Sequence, residues 1–263
     1  MDMSPWILLA LLGIMAFATY FQTVTGFGLS IIVIGVTSGL DLVPLSMSAS
    51  VVSLVSLMNC ALALPPKKLS EVNWRVTYAV LVGAIPASIA GVVLLDYMSS
   101  GATTTLQLLL GAVIIFSGVQ CVLKPAPQTK QSSPGRFTVS GAVAGVCGGI
   151  FGMPGPPIIF LMYRQPFQIT TIRTVLLVVF LFISLTRTVY LAIDQGVDRE
   201  AYLAAGLSLP LISVMTWLGH RFPPPLSAKA MRRATFAMLV SIGVSLVVPV
   251  LVSDQAPVHR TSH

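Results

Sequence analysis

Charged residues divide this chain into eight uncharged stretches: 3–40, 42–66, 76–95, 97–123, 137–163, 174–186 (continuing past Arg187 to Ile193), 201–220 and 234–253. A helix that spans a bilayer needs about 20 apolar residues, and six of the eight runs fit one helix each. Only 9% of the residues are charged and the mean hydropathy is +0.90; a soluble domain carries roughly 25% charged residues. So few charges cannot solvate a soluble protein of this size. Disordered, collagen-like and ordinary globular chains are excluded, and the expectation is an all-α integral membrane protein. The N-terminal run is read as a spanning segment and not a signal peptide. Met1-Asp2-Met3 carries no positive charge, and the run is too long for an h-region. Cys60, Cys121 and Cys147 all lie in apolar stretches and offer neither a disulfide framework nor metal-ligand spacing.

Two runs do not fit one helix. The first contains Thr23-Val-Thr-Gly26-Phe-Gly28 and the fifth contains Gly148-Gly-Ile-Phe-Gly152-Met-Pro154-Gly-Pro-Pro157. Glycine and proline at this density break a helix. The expected pieces are 5–22 and 29–40 in the first run, and 137–151 and 156–163 in the fifth.

Four segments, 67–75, 124–136, 164–173 and 221–233, hold 12 of the 15 basic residues and one acid, Glu71. The other acids, including Asp2, Asp41, Asp96 and Asp194, lie in the remaining loops and tails. The positive-inside rule places the basic segments in the cytoplasm. The net charge of +7 is thus a topology signal and not a nucleic-acid footprint. Traced on this basis, each broken run enters and returns on one side, and three full crossings follow it. Three is odd, so the halves are inverted and both termini are non-cytoplasmic. The expected organisation is a first transmembrane repeat (1–123), a cytoplasmic linker (124–136), a second repeat (137–253) and a tail (254–263). Offsets agree: Gly26 and Gly152 lie 126 residues apart, and the mid-helix prolines Pro86 and Pro210 lie 124 apart. Two inverted repeats, each a broken re-entrant helix pair plus three transmembrane helices, are an architecture of secondary transporters.

A broken backbone in hydrocarbon leaves N–H and C=O groups unpaired unless it lines a cavity or is buried in protein. On this topology both second pieces start near the membrane midplane. Their N-termini would present free N–H groups and partial positive charge to one central anion. Thr23, Thr25 and Ser30 add hydroxyl donors, Gln22 adds an amide, and Pro156 or Pro157 suits a first helical turn. The competing reading is a pair of packing kinks. Gly35-xxx-Gly39 and Gly141-xxx-Gly145-xxx-Gly149 have the spacing of close helix contacts.

The two breaks also carry a resemblance. Thr25-Gly-Phe-Gly28-Leu-Ser-Ile-Ile and Gly148-Gly-Ile-Phe-Gly152-Met-Pro-Gly-Pro-Pro157-Ile-Ile resemble the duplicated signature of the sulfite exporter TauE/SafE family, and Arg173-Thr follows the second copy at the family's spacing. The resemblance runs from about residue 5 to residue 253. It implies a permease of the bacterial inner membrane for sulfite, sulfonates, related sulfur anions or small carboxylates. Gly-Met-Pro in the second motif stands where many relatives show a run of glycines.

Arg187 is the one ionisable residue deep in an expected helix. Such a residue is a functional candidate by default. It either binds or gates the anion, or snorkels to the outer face near Asp194. Arg173 either marks topology or catches the anion at the cytoplasmic mouth. Asn59 and Gln107 read as amides that bond neighbouring helices. The candidate substrate-binding set is Gln22, Thr23, Thr25, Gly26, Gly28, Ser30, Gly149, Gly152, Pro154, Gly155, Arg173 and Arg187. No HExxH, GxSxG or P-loop pattern is present. The chain is therefore not expected to be an enzyme or to need a cofactor or metal. The leading function is export of a small anion, sulfite or an organosulfonate, by alternating access. The alternatives are uptake of a carboxylate or another sulfur anion and, less favoured, a membrane scaffold or sensor. The expected partners are the anion and the lipid bilayer.

Overall fold

The computed structural model describes residues 5–25, 28–40, 42–64, 69–70, 72–99, 103–122, 128–194 and 199–222. Nine α-helices lie among them: α1 (Pro5–Thr25), α2 (Leu29–Gly39), α3 (Leu45–Ala63), α4 (Trp74–Ser99), α5 (Thr103–Val122), α6 (Pro134–Phe151), α7 (Gly155–Tyr163), α8 (Ile169–Asp194) and α9 (Arg199–Arg221). The eighth uncharged run, 234–253, lies outside the described residues, as does Gly26. Trp6–Val24, Trp74–Met98 and Ile169–Ile193 are long and apolar enough to cross a membrane, and several of the other apolar helices are shorter.

Both expected breaks are present. Each turns on a glycine in the left-handed region, Gly28 at φ 109° and Gly152 at φ 62°. That conformation is open to glycine without steric penalty. The pieces are unequal. α1 has 21 residues and α2 has 11; α6 has 18 and α7 has 9. At 1.5 Å per residue the first pieces are about 32 and 27 Å long, close to the thickness of the hydrocarbon core. α1 continues past residue 22 because Thr23 is accommodated within the helix, where its hydroxyl donates to the Thr19 carbonyl at 2.8 Å. α6 begins before residue 137 because Ser133-Pro134 opens it, with proline at the first helical position.

Small residues set the helix directions. Gly141, Gly145 and Gly149 of α6 meet the backbones of Val80, Ala84 and Ser88 of α4 so closely that no Cβ fits between them. These partners advance together, so α4 and α6 run parallel, and α5 carries the chain back between them. α1 and α9 are also parallel. Met15 accepts a hydrogen bond from Ser208, and Thr23 packs on Gly219 eight residues further along α1. α3 and α8 are antiparallel. Arg187, late in α8, bonds Ala49 and Ser53, early in α3, while Cys60, late in α3, shares a buried cluster with Val175, Val178 and Val179.

Two apolar clusters fill the interior. One joins α1, α2 and α3 to Ile150, Phe151 and Met153 of the second break. The other joins α4, α7 and α8 to Cys60 of α3. The outer surface is also apolar: Trp6, Tyr78, Val82, Tyr97, Ile193 and Trp217 are all exposed. Trp74 and Tyr97 mark the two ends of α4, about 35 Å apart by helix rise. That placement matches the aromatic girdles of a membrane helix.

Candidate functional site

The second break is buried throughout, from Phe151 to Gly155. Gly152 ends α6, and the Met153 N–H returns to the Cys147 carbonyl at 3.4 Å. A Cβ on Gly152 would stand 2.9 Å from the Ala49 carbonyl oxygen and 3.2 Å from Ser53 Oγ. Gly152 is therefore required twice, for its φ and for the approach of α3. Gly149 is fixed by its contact with the Ser88 backbone. Pro154 sits just before α7, and Gly155 opens it.

Arg187 reaches this break. It is 1% exposed, among the largest fully buried side chains described. Its Nε donates to the Gly149 carbonyl at 2.9 Å, and its Nη1 donates to the Ala49 carbonyl at 2.8 Å and to Ser53 Oγ at 2.9 Å. Ser53 Oγ itself donates to the Ala49 carbonyl at 2.8 Å. The side chain thus turns into the protein and does not snorkel toward the C-terminal end of α8 near Asp194. One guanidinium joins α8, the end of α6 and α3. Its three acceptors are two carbonyls and a hydroxyl, none of them a carboxylate, and Nη2 takes no part in these bonds. Neutral acceptors solvate a buried cation but do not cancel its charge.

Among the described residues, the first break is built without charge. Gln22 is 3% exposed. Its Oε1 accepts the Leu29 N–H at 3.2 Å and so caps α2, while its Nε2 points at Cys60 Sγ, 3.7 Å away. A Cβ on Gly28 would lie 3.1 Å from the Phe21 ring. Ser30 is buried in the first turn of α2.

The two breaks meet α3 at different levels. Arg187 bonds it at Ala49 and Ser53, and Gln22 meets it at Cys60. Ser53 and Cys60 are about 10 Å apart by helix rise. α1 and α6 are long, 21 and 18 residues, and their ends reach α3 at these two separate levels. The helix starts differ as well. Pro156 and Pro157 remove two of the first four N–H groups of α7, so donors at the second break come chiefly from Arg187. Other expected site residues stand apart. The Thr23 hydroxyl bonds its own helix, and its side chain packs on Gly219. Thr25 ends α1. Arg173 is exposed in the first turns of α8, 14 residues and about 21 Å of helix from Arg187.

Ala49 and Ser53 are absent from the sequence-derived set. A signal for them exists: Ser53, Ser56 and Cys60 recur at helical spacing and give α3 a face of small polar residues.

The sulfite exporter TauE/SafE family matches residues 11–246. The probable sulfite/organosulfonate exporter TauE of Cupriavidus necator is 47% identical over 252 residues, which cover 95% of this chain and 98% of the relative. The probable inner membrane transporter protein TsaS of Comamonas testosteroni is 29% identical over 181 residues, 67% of this chain and 73% of the relative. No solved structure matches. With the family match running from α1 to beyond α9 over both broken segments, the chain belongs to the sulfite exporter TauE/SafE family, a family of membrane transporters and not of enzymes.

Proposed function

We propose that this chain exports sulfite or an organosulfonate across a bacterial inner membrane by alternating access, with the anion held at the second break by Arg187. The observation that carries this reading is a fully buried guanidinium whose hydrogen-bond partners among the described residues are all neutral. A cation placed in hydrocarbon costs several kcal/mol. An oxyanion at Nη2 supplies the missing charge and accepts charge-assisted hydrogen bonds. The name of the Cupriavidus relative gives the anion class.

Alternating access is supported by the way the halves mirror each other. α1 packs on α2 as α6 packs on α7, α1 on α9 as α6 on α4, and α3 on α9 as α8 on α4. Pro86 lies inside α4, and Pro210 lies inside its counterpart α9. In this reading α1–α5 and α6–α9 belong to two inverted repeats, with the basic loops and the linker cytoplasmic and both termini outside. Reporter fusions at Asp2 and His263 are expected to be active only outside the cytoplasm. Two cytoplasmically active fusions would remove the inversion.

The function is tested by flux into proteoliposomes of the purified protein, with sulfite, a taurine-like sulfonate and a small carboxylate compared. Saturable flux of a sulfur oxyanion, several-fold above the carboxylate, is expected. Carboxylate flux without sulfite or sulfonate flux would replace this reading with that of a carboxylate permease.

A further inference from the structure

We infer that the first break holds a second, uncharged station for the same oxyanion, built from Asn59, Thr19 and Gln22 beside the start of α2. This rests on the transport reading above.

Asn59 and Thr19 are both 0% exposed. The Asn59 Oδ1 accepts from the Thr216 hydroxyl at 2.9 Å, but its Nδ2 has no hydrogen-bond partner, and neither has Thr19 Oγ1. A buried polar group without a partner keeps the full penalty of its desolvation. Two in one region call for a reason.

The groups fall on one level of the bundle. Thr23 packs on Gly219, so the parallel register of α1 and α9 sets Thr19 beside Thr216 one turn back. Thr216 holds Asn59. Cys60, the next residue of α3, meets Gln22 Nε2 at 3.7 Å, and a thiol sulfur is a weak acceptor. The Oε1 of the same amide caps Leu29, which ties the cluster to the N-terminus of α2. Three side-chain donor groups thus lie at one level of the bundle, Gln22 ties that level to a helix start, and both amide oxygens are already engaged as acceptors. They suit an oxyanion with several acceptor oxygens, held by neutral donors and a helix terminus.

The lack of charge has a use. Arg187 binds the anion at the level of Ala49 and Ser53. A station toward the other end of α3 that lacks a cation binds more weakly. It lets the anion enter or leave on that side without being trapped. Transport through two such levels needs favourable entry and weak release.

The test uses the full chain in lipid nanodiscs, with radiolabelled methanesulfonate as the probe and flux measured in parallel. Wild-type protein should bind in two phases, one tight and one weak. Arg187→Gln should remove the tight phase. Asn59→Leu should remove the weak phase, leave the tight one, and slow flux three- to tenfold. Asn59→Ser should restore part of that loss. If Asn59 only bonds Thr216, Asn59→Leu leaves both phases and flux at wild-type values, and the second station is refuted. Should the leucine variant fail to insert, Thr19→Val carries the same expectation, because it removes a donor without changing shape. A single Arg187-dependent phase in wild-type protein would overturn the second station alone. Binding that ignores Arg187→Gln would overturn the transport reading itself.

Discussion

Purified Arg187→Gln is expected to lose roughly 100- to 1,000-fold in affinity for sulfite or sulfonate while it inserts and folds normally. The loss follows from two charge-assisted hydrogen bonds to the anion, at about 1.5–2 kcal/mol each. Stability should move the other way. An arginine at the centre of a membrane helix costs about 2.5–3.5 kcal/mol on insertion scales, and glutamine removes that charge. Its amide can still reach one of the three acceptors, the Gly149 carbonyl, the Ala49 carbonyl or Ser53 Oγ. The melting temperature should therefore stay level or rise as binding vanishes. Arg187→Lys should fall between, because an ammonium keeps the charge but not the planar fork. Gly152→Ala is the companion variant. Its Cβ would stand 2.9 Å from the Ala49 carbonyl and 3.2 Å from Ser53 Oγ, the two atoms that orient Nη1. It should weaken binding by pushing α3 off the guanidinium. A thermal-shift and equilibrium-binding pair decides the matter. A large drop in melting temperature with unchanged affinity in Arg187→Gln would make the residue a structural brace between α3, α6 and α8.

What the sequence disclosed depends on whether a residue acts locally or through distant neighbours. Helical membrane character was legible because no span tolerates frequent charge, so charge spacing alone outlines the helices. The breaks were legible because Gly28 and Gly152 take backbone angles that other residues avoid. The close contacts of Gly141, Gly145 and Gly149 were legible as a small-residue stripe, though not their partner α4. The target of Arg187 was not. Whether an arginine seven residues from a helix end snorkels or turns inward depends on which helices pack there, and α3 lies about 130 residues away in sequence. The proline pair was half legible. Pro156-Pro157 marks a helix start, and the same residues remove the N–H groups for which that start was valued. The separation of the two breaks along α3 was hidden because it depends on which helices pack there, and because α1 runs on to Thr25, past its expected end at residue 22, while α6 stops at Phe151 as expected.

Transport is expected to be electrogenic, with the membrane potential alone able to drive export. No Asp or Glu lies within the interior of any described helix. Asp96 is near the end of α4 and Asp194 ends α8. A carboxylate relay across the middle of the protein therefore has no carriers among the described residues. Arg187 keeps its charge through the cycle, so the net charge moved is that of the anion. Sulfite carries one or two negative charges near neutral pH. A potential negative inside favours its exit by about 2.3 kcal/mol per charge per 100 mV. That is a gradient of about 50-fold for a monoanion and roughly 2,000-fold for a dianion. Proteoliposomes with a valinomycin-set potassium potential and no pH or sodium gradient provide the measurement. The anion should accumulate on the positive side and redistribute when the potential is reversed. A fixed-charge sulfonate should follow the potential as a monoanion at every pH, whereas sulfite should respond more steeply as pH rises and the dianion becomes dominant. Accumulation that follows a proton gradient and ignores the potential would require protons to travel with the substrate. In that case the titrating group is the anion itself or an acid at a helix end, and Arg187 remains the site but not the source of the driving force.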